Sequence, residues 1–234
     1  MFYLTGDTHG DFARVFQFIK NNPEVTRADV MVVLGDAGLN YFGDYRDELK
    51  KEPLSKRPLT IFCIHGNHEL RPERVGTYRE IPWRGGAAYQ EEQYPNLLFA
   101  KDGEIYDFDG KSVFVIGGAY SVDKFYRLER GRSWFADEQP TDAAKRHMEA
   151  RLDEIGWQVD VVLSHTCPYR YRPTEVFLAG LDQSTVDTGT EEWLEQIEAR
   201  LEYKKWYCGH FHTDKTIDKL RFFFHDIAEL KQGY

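Results

Sequence analysis

FYLTGDTHG, residues 2–10, is the stretch that decides the fold of this chain. The apolar run Phe2–Thr5 stops at a glycine, as a buried strand does, and Asp7 and His9 follow directly. The two residues are two positions apart, so in extended backbone they face the same side and can bind one metal ion. The stretch therefore predicts a strand whose carboxyl end carries metal ligands.

Similar short clusters recur in a fixed order along the chain. They are Gly-Asp-Ala-Gly at Gly35–Gly38, Gly-Asn-His-Glu at Gly66–Glu69, Ser-His-Thr at Ser164–Thr166 and Gly-His-Phe-His at Gly209–His212. Together with the first stretch they offer these candidate ligands: Asp7, His9, Asp36, Asn67, His165, His210 and His212. Oxygen and imidazole donors suit divalent Mn, Fe, Zn, Ni or Co better than a soft thiolate metal. The set predicts a two-metal hydrolase, with Asp36 as the candidate bridge between cations that typically lie about 3.5–4 Å apart.

Composition narrows the classes of protein that remain. The aromatic content, 16 Phe, 14 Tyr and 5 Trp, argues against disorder. The net charge of −9 argues against binding to extended nucleic acid, although a local basic patch could still exist. The three cysteines form no Cys-x-x-Cys pair, which favours a reducing cytoplasm over a disulfide framework. No apolar stretch approaches the roughly 20 residues of a membrane span.

Apolar runs and helical spacing predict strands that alternate with helices. The predicted strands are 2–5, 30–34, 61–64, 113–116, 159–163 and 206–208; the predicted helices are 11–20, 44–51, 142–155 and 191–201; a hairpin is predicted from 213–218 and 221–227. This order indicates an α/β or mixed α+β layered fold. In such sheets ligands gather beyond the carboxyl ends of the strands, so the clusters should converge at one edge.

The ordered motifs resemble the calcineurin-like metallophosphoesterase superfamily, and the match runs from Gly6 to His212. The resemblance implies a single domain over residues 1–234, built as a four-layer α/β/β/α sandwich of two mixed sheets with the metal site at strand C-terminal ends. It implies that one metal ion is bound by Asp7, His9, Asp36 and His212, and the other by Asp36, Asn67, His165 and His210. It also implies that His68 approaches the substrate, either as a phosphate binder or as general acid to the leaving group.

One position departs from the superfamily pattern. Many members have a second Asp that orients the catalytic His where this chain has Leu39, so the partner of His68 stays open, with Glu69 one candidate. Candidate cations for the substrate phosphate are Arg71 and Arg127. The segment 121–133 that contains Arg127 could equally be a solvated surface loop.

The sequence thus predicts a soluble, cytoplasmic, dinuclear phosphoesterase in which a metal-bridging hydroxide attacks a phosphate ester. Phosphomonoesters and phosphodiesters stay equally open as substrates. The alternatives are a non-catalytic metal-binding scaffold of the same fold and a nuclease that acts on short nucleotides. His65, His147 and His225 receive no role, and the sequence does not indicate an oligomeric state.

Overall fold

The computed structural model describes residues 1–180 and 182–231. The strands are β1 Phe2–Thr5, β2 Val30–Val33, β3 Thr60–Cys63, β4 Tyr78–Trp83, β5 Gly86–Glu91, β6 Leu97–Ala100, β7 Ile105–Asp107, β8 Ser112–Ile116, β9 Val161–Ser164, β10 Lys205–Cys208, β11 Lys215–Ile217, β12 Leu220–Phe222 and β13 Ile227–Glu229. The helices are α1 Ala13–Asn21, α2 Tyr45–Ser55, α3 Lys124–Glu129, α4 Asp142–Glu154 and α5 Gly189–Arg200.

The described strands form two mixed sheets. The first has the order β13-β1-β2-β3-β6-β5-β4 and the second has the order β11-β12-β10-β9-β8-β7. In the first sheet β1, β2, β3 and β6 run parallel, whereas β13, β5 and β4 are antiparallel to their neighbours. In the second, β8, β9, β10 and β12 run parallel and the edge strands β7 and β11 are antiparallel. The parallel strands β1, β2, β3 and β9 are buried along their whole length, which explains their unbroken apolar sequences.

Alternation along the strands divides the core into three layers of side chains. Phe2 and Leu4 point toward the second sheet and pack with Val113 and Leu163. The other face of the first sheet packs against α1 and α2 through the cluster Tyr3, Met31, Val33, Phe12, Val15 and Leu54. The outer face of the second sheet packs against α4 and α5 through Phe114, Val162, Trp206, Met148, Leu152, Leu194 and Ile197. These layers confirm the predicted α/β/β/α sandwich.

Several boundaries differ from those that the sequence predicts. The strands β4, β5, β6 and β7 were not predicted, and α3 occupies part of the segment considered as a loop. The predicted strand 221–227 is two strands: β12 belongs to the second sheet, whereas β13 pairs with β1 in the first. No described helix is long and apolar enough to cross a membrane.

Candidate metal centre

The carboxyl ends of strands from both sheets carry the candidate ligands. Asp7 and His9 follow β1, Asp36 follows β2 and Asn67 follows β3; His165 follows β9, and His210 and His212 follow β10. All seven side chains come together at this edge, as the sequence predicts. These residues are far apart in the sequence: Asp7 and His212, which contact each other, are separated by 205 positions. The ends of the strands are what bring them together.

The backbone at four of these residues is left-handed. The φ angles are 47° at His9, 48° at Asp36, 66° at His210 and 49° at His212. Residues other than glycine rarely adopt this region, and each such residue costs of order 1–3 kcal/mol. The turns after β1, β2 and β10 therefore hold their ligands inward at a local cost in backbone energy.

Two glycines of the motifs are required by close approach. A Cβ atom on Gly35, whose φ is 96°, would lie 1.9 Å from Nδ1 of His165. A Cβ atom on Gly66 would lie 2.0 Å from Oδ1 of Asp36. Any side chain at either position would displace a candidate ligand.

One group of ligand atoms consists of Asp7, His9 and His212. Nε2 of His9 lies 3.0 Å from Nε2 of His212, which in turn lies 3.2 Å from Oδ2 of Asp7. Burial alone would raise the pKa of the Asp7 carboxyl, but the hydrogen bond from His212 and the nearby imidazoles bring that pKa below its usual range. The same hydrogen bond raises the pKa of His212. The carboxylate is buried, whereas the side chains of His9 and His212 are 37% and 46% exposed, so this half of the centre faces solvent.

The second group is buried and has acceptors facing one another. Nδ1 of His165 lies 2.8 Å from the carbonyl oxygen of Leu34, so the imidazole proton belongs on Nδ1. The lone pair of Nε2 then faces Oδ1 of Asn67 at 2.8 Å, and Nδ1 of His210 lies 3.1 Å from the same oxygen. Burial lowers the pKa of His210 well below its usual value, which keeps the imidazole neutral and able to bind a cation through a ring nitrogen. A divalent cation between these atoms satisfies all of them, so the donor set fits a metal ion.

Asp36 lies between the two groups. Its carboxylate is within 4.8 Å of ligand atoms of Asp7 and His9 from the first group and of His165 from the second. Oδ1 also accepts a hydrogen bond of 2.8 Å from the backbone N–H of His68. This position fits a carboxylate shared between two cations.

His68 lies beside the centre and has two charged neighbours from the region of α3. Arg127 donates a hydrogen bond of 2.9 Å from a terminal guanidinium nitrogen to Nδ1 of His68, which leaves the imidazole proton on Nε2. Nε2 lies 3.4 Å from Oδ1 of Asp123, and Oδ2 of Asp123 accepts a hydrogen bond of 2.8 Å from Nε of Arg127. Burial would raise the pKa of Asp123, but the nearby His68 imidazole and the hydrogen bond from Arg127 bring it below its usual range.

The other sequence candidates lie in different surroundings. The Arg71 guanidinium binds Oδ2 of Asp102 at 2.8 Å and the carbonyl oxygen of Asp137 at 2.9 Å. Arg127 lies at the centre, but each of its guanidinium nitrogens has a protein partner. Phosphate binding by Arg71 and by Arg127 therefore stays a prediction.

Glu69 does not contact the His68 ring. Its buried carboxylate accepts hydrogen bonds from the backbone N–H groups of Ala37, Gly38 and Gly66, and so ties the second motif to the third. Burial and the charge of Asp36 raise the pKa of Glu69 to about 8. Leu39 is fully buried in the apolar layer beneath α1 and α2, so it offers no polar group to His68.

Sequence reasoning missed Asp123. One available signal was its position after β8, which runs parallel to β9 and lies beside it. The motifs supply candidate ligands at the carboxyl ends of β9 and β10 but none at the end of β8. A second signal was the spacing of four between Asp123 and Arg127, which suits an ion pair on one face of a helical turn.

Comparisons with known proteins agree with this geometry. The family model described as calcineurin-like phosphoesterase matches residues 1–214. An uncharacterized protein of Haemophilus influenzae is 27% identical over 140 residues, which are 60% of this chain and 48% of that protein, so the chain spans about half the length of this relative. The crystal structure of a phosphopantetheinyl hydrolase from Mycobacterium tuberculosis matches with a TM-score of 0.50 at 16% identity. The matched region is 94% of this chain and 86% of the hydrolase chain.

The structural likeness, at 16% identity, shows a shared fold. The family model extends over most of the chain and includes every cluster described above. The resemblance seen in the motifs is confirmed: the chain belongs to the calcineurin-like phosphoesterase family.

Proposed function

We propose that this protein is a phosphoesterase that hydrolyses phosphate esters with the help of two divalent cations. The observation that carries the proposal is the convergence of seven residues with oxygen and nitrogen ligand atoms around Asp36. One group would hold a cation with Asp7, His9, Asp36 and His212, and the other would hold a cation with Asp36, Asn67, His165 and His210. The layers of side chains continue from one sheet to the other, which supports a single domain over residues 1–234.

Bound divalent cations supply positive charge to the phosphoryl oxygens and lower the pKa of water at the site. The protein's own contribution to bond cleavage is a hydrogen-bond donor. As the water oxygen bonds to phosphorus, the ester P–O bond breaks; the Nε2–H group of His68 donates a hydrogen bond to the leaving oxygen, which takes the proton that the attacking water releases. Asp123 and Arg127 would fix the orientation and the tautomer of that ring. Leu39 cannot do so, because its side chain has no polar group.

A matrix of metals and substrates tests the proposal. The protein is stripped with a chelator, reloaded separately with Mn, Ni, Zn or Mg, and assayed with p-nitrophenyl phosphate and its bis ester. We expect turnover of at least one ester that requires added metal, at about two metal ions per chain. The ratio of the two rates decides between a monoesterase and a diesterase.

The same matrix addresses the alternative of a non-catalytic scaffold. Two tightly bound metal ions per chain without turnover of either ester would contradict the proposal and favour the scaffold. Asp36→Asn, which keeps the shape of the side chain but removes its charge, serves as the inactive control.

A further inference from the structure

A cavity of about 330 Å³ opens directly beside the candidate metal centre. Its floor includes Asn67, His68 and His210, so it begins at the site where a phosphate would lie. Asp123 also lines it, which means that the side of His68 carrying the Nε2 proton opens into the cavity. A group leaving from phosphorus toward that proton would enter this space.

The wall of the cavity is mostly apolar. It is formed by Val122 after β8, by Phe177, Leu178 and Val186 from the segment before α5, and by Phe211 between two candidate ligands. The rings of Phe177 and Phe211 are stacked, with centroids 6.0 Å apart and planes at 15°. Leu178 is 64% exposed, an apolar side chain that lines the cavity with much of its surface open to water. Small-molecule sites have this character, apolar walls with a few fixed polar groups.

The lining of the cavity also includes a buried carboxylate oxygen that has no hydrogen-bond donor within the described part of the chain. Oε1 of Glu191 accepts a hydrogen bond of 2.7 Å from the Thr166 hydroxyl, but Oε2 is buried and has no partner among the described residues. Arg172, whose guanidinium lies 3.6 Å from the centre of the Tyr169 ring, lines the same region. A buried carboxylate oxygen without a donor is costly, and a ligand that donates a hydrogen bond there removes the cost.

The charges of the lining disfavour an anionic leaving group. Away from the metal ligands, the carboxylates of Asp187 and Glu191 line the cavity against the single guanidinium of Arg172, while Asp123 is paired with Arg127. Volume sets a further limit, because an apolar cavity of about 150 Å³ holds one benzene ring. The cavity, at about 330 Å³, includes the space beside the metal ligands where the phosphate would lie, and the remainder has room for a ring-bearing group.

We propose that this cavity binds the alcohol portion of the substrate, and that this alcohol is neutral and compact, with a ring-bearing apolar body. The inference rests on the proposed phosphoesterase function and names the substrate class for it. Phe177 and Leu178 recognise the apolar body, and Glu191 accepts a hydrogen bond from a donor group on the alcohol. Polyphosphates and esters with a second anionic group are poor substrates.

The test compares esters whose leaving groups have similar acidity but different apolar size. We expect kcat/KM of the Mn-loaded protein to be more than about tenfold higher for 2-naphthyl phosphate than for phenyl phosphate. Phe177→Ala and Leu178→Ala should each reduce that ratio severalfold while phenyl phosphate is still hydrolysed. Leu49→Ala is the matched control, because Leu49 is an equally exposed leucine, at 75%, on α2 and does not line the cavity.

A second comparison tests the charge of the lining. Phenyl phosphate with a para carboxylate should be a poorer substrate than the para carboxamide, and Glu191→Gln should narrow the difference. A naphthyl-to-phenyl ratio near one in the wild type, unchanged in Phe177→Ala, would overturn the inference and leave the proposed function standing. Failure to hydrolyse any of the esters with metal bound would overturn both.

Discussion

Oδ1 of Asp123 lies 3.4 Å from Nε2 of His68 and has no hydrogen-bond partner of its own among the described residues. The other oxygen of the carboxylate is held by Nε of Arg127, whose terminal nitrogen reaches the opposite side of the same imidazole. The ring therefore has a charged residue on each side, and these two residues also bind each other. Leu39 of the second motif offers no polar group, and the charged contacts of His68 come from the start of α3.

The first prediction concerns the hydrogen bond from His68 to the leaving oxygen. If the Nε2–H group stabilises that oxygen as the ester bond breaks, His68→Ala should slow the hydrolysis of alkyl phosphates by about 10²–10³-fold and that of p-nitrophenyl phosphate much less, because a good leaving group needs little stabilisation. Steady-state kinetics with both kinds of ester measure the difference. Metal content should stay near the wild-type value, and equal losses for both esters would show that His68 binds phosphoryl oxygens instead.

The second prediction concerns the orientation of that ring. Asp123→Asn keeps the shape of the side chain but removes the charge that pairs with Arg127, so the ring should lose its fixed position. We expect kcat for alkyl phosphates to fall about tenfold, with KM and the rate for p-nitrophenyl phosphate nearly unchanged. Glu129→Gln, an exposed carboxylate on the same helix, is the control. A uniform loss for every ester would assign Asp123 a merely structural role.

The third prediction concerns the shared carboxylate. Asp36→Asn should abolish turnover and reduce the metal content below two ions per chain, because a neutral amide cannot balance two cations. Steady-state assays measure turnover and elemental analysis measures the metal content, while far-UV circular dichroism checks that the variant is folded. His147→Ala, on the exposed face of α4, should behave as the wild type. Normal activity in folded Asp36→Asn would contradict the two-metal assignment.

The fourth prediction follows from the facing lone pairs of His165 and Asn67. A cation at this position binds the folded chain but not the unfolded chain. Mn²⁺ at about 100 times its Kd should therefore add about 2.7 kcal/mol to the free energy of unfolding. For a chain of this size the melting temperature should rise by roughly 5–10 °C. His165→Ala should lose at least half of the rise, whereas His147→Ala should keep it. An unchanged rise in His165→Ala would place the bound ion elsewhere.

The fifth prediction concerns a buried ion pair away from the centre. Nζ of Lys51 on α2 lies 2.5 Å from Oε2 of Glu91 on β5, and the two side chains are only 5% and 10% exposed. Lys51→Met should cost about 3–5 kcal/mol in urea unfolding, because it leaves a buried carboxylate unpaired. The double variant Lys51→Met with Glu91→Leu should recover most of that loss. A cost below about 1 kcal/mol for the single variant would mean that water reaches Glu91.

The parallel strands and their ligands could be predicted because both signals are local. Buried strands such as β1 and β2 read as unbroken apolar runs, and the motifs follow them directly. The strand β4 gave no such signal, because it is an edge strand with exposed charged residues and contains Pro82. An edge strand tolerates a proline that a central strand excludes, so the sequence pattern argued against a strand that is present.

The contacts of His68 could not be predicted for a different reason. Asp123 and His68 come from different sheets, and the loops after β3 and β8 bring them together. The spacing of Asp123 and Arg127 indicates that they pair with each other but not which third residue they approach. Contacts of this kind depend on loop geometry, which the period of apolar residues does not encode.

The left-handed backbone at His9, Asp36, His210 and His212 sets stability and binding in opposition. Glycine at any of these positions would relax the backbone and recover part of roughly 1–3 kcal/mol, but it would delete a ligand. Directed evolution of this protein for heat resistance in metal-free medium would therefore favour variants in which glycine replaces these candidate ligands. Selection with the metal present reverses that pressure, because each ligand then contributes more to the folded state than its turn costs.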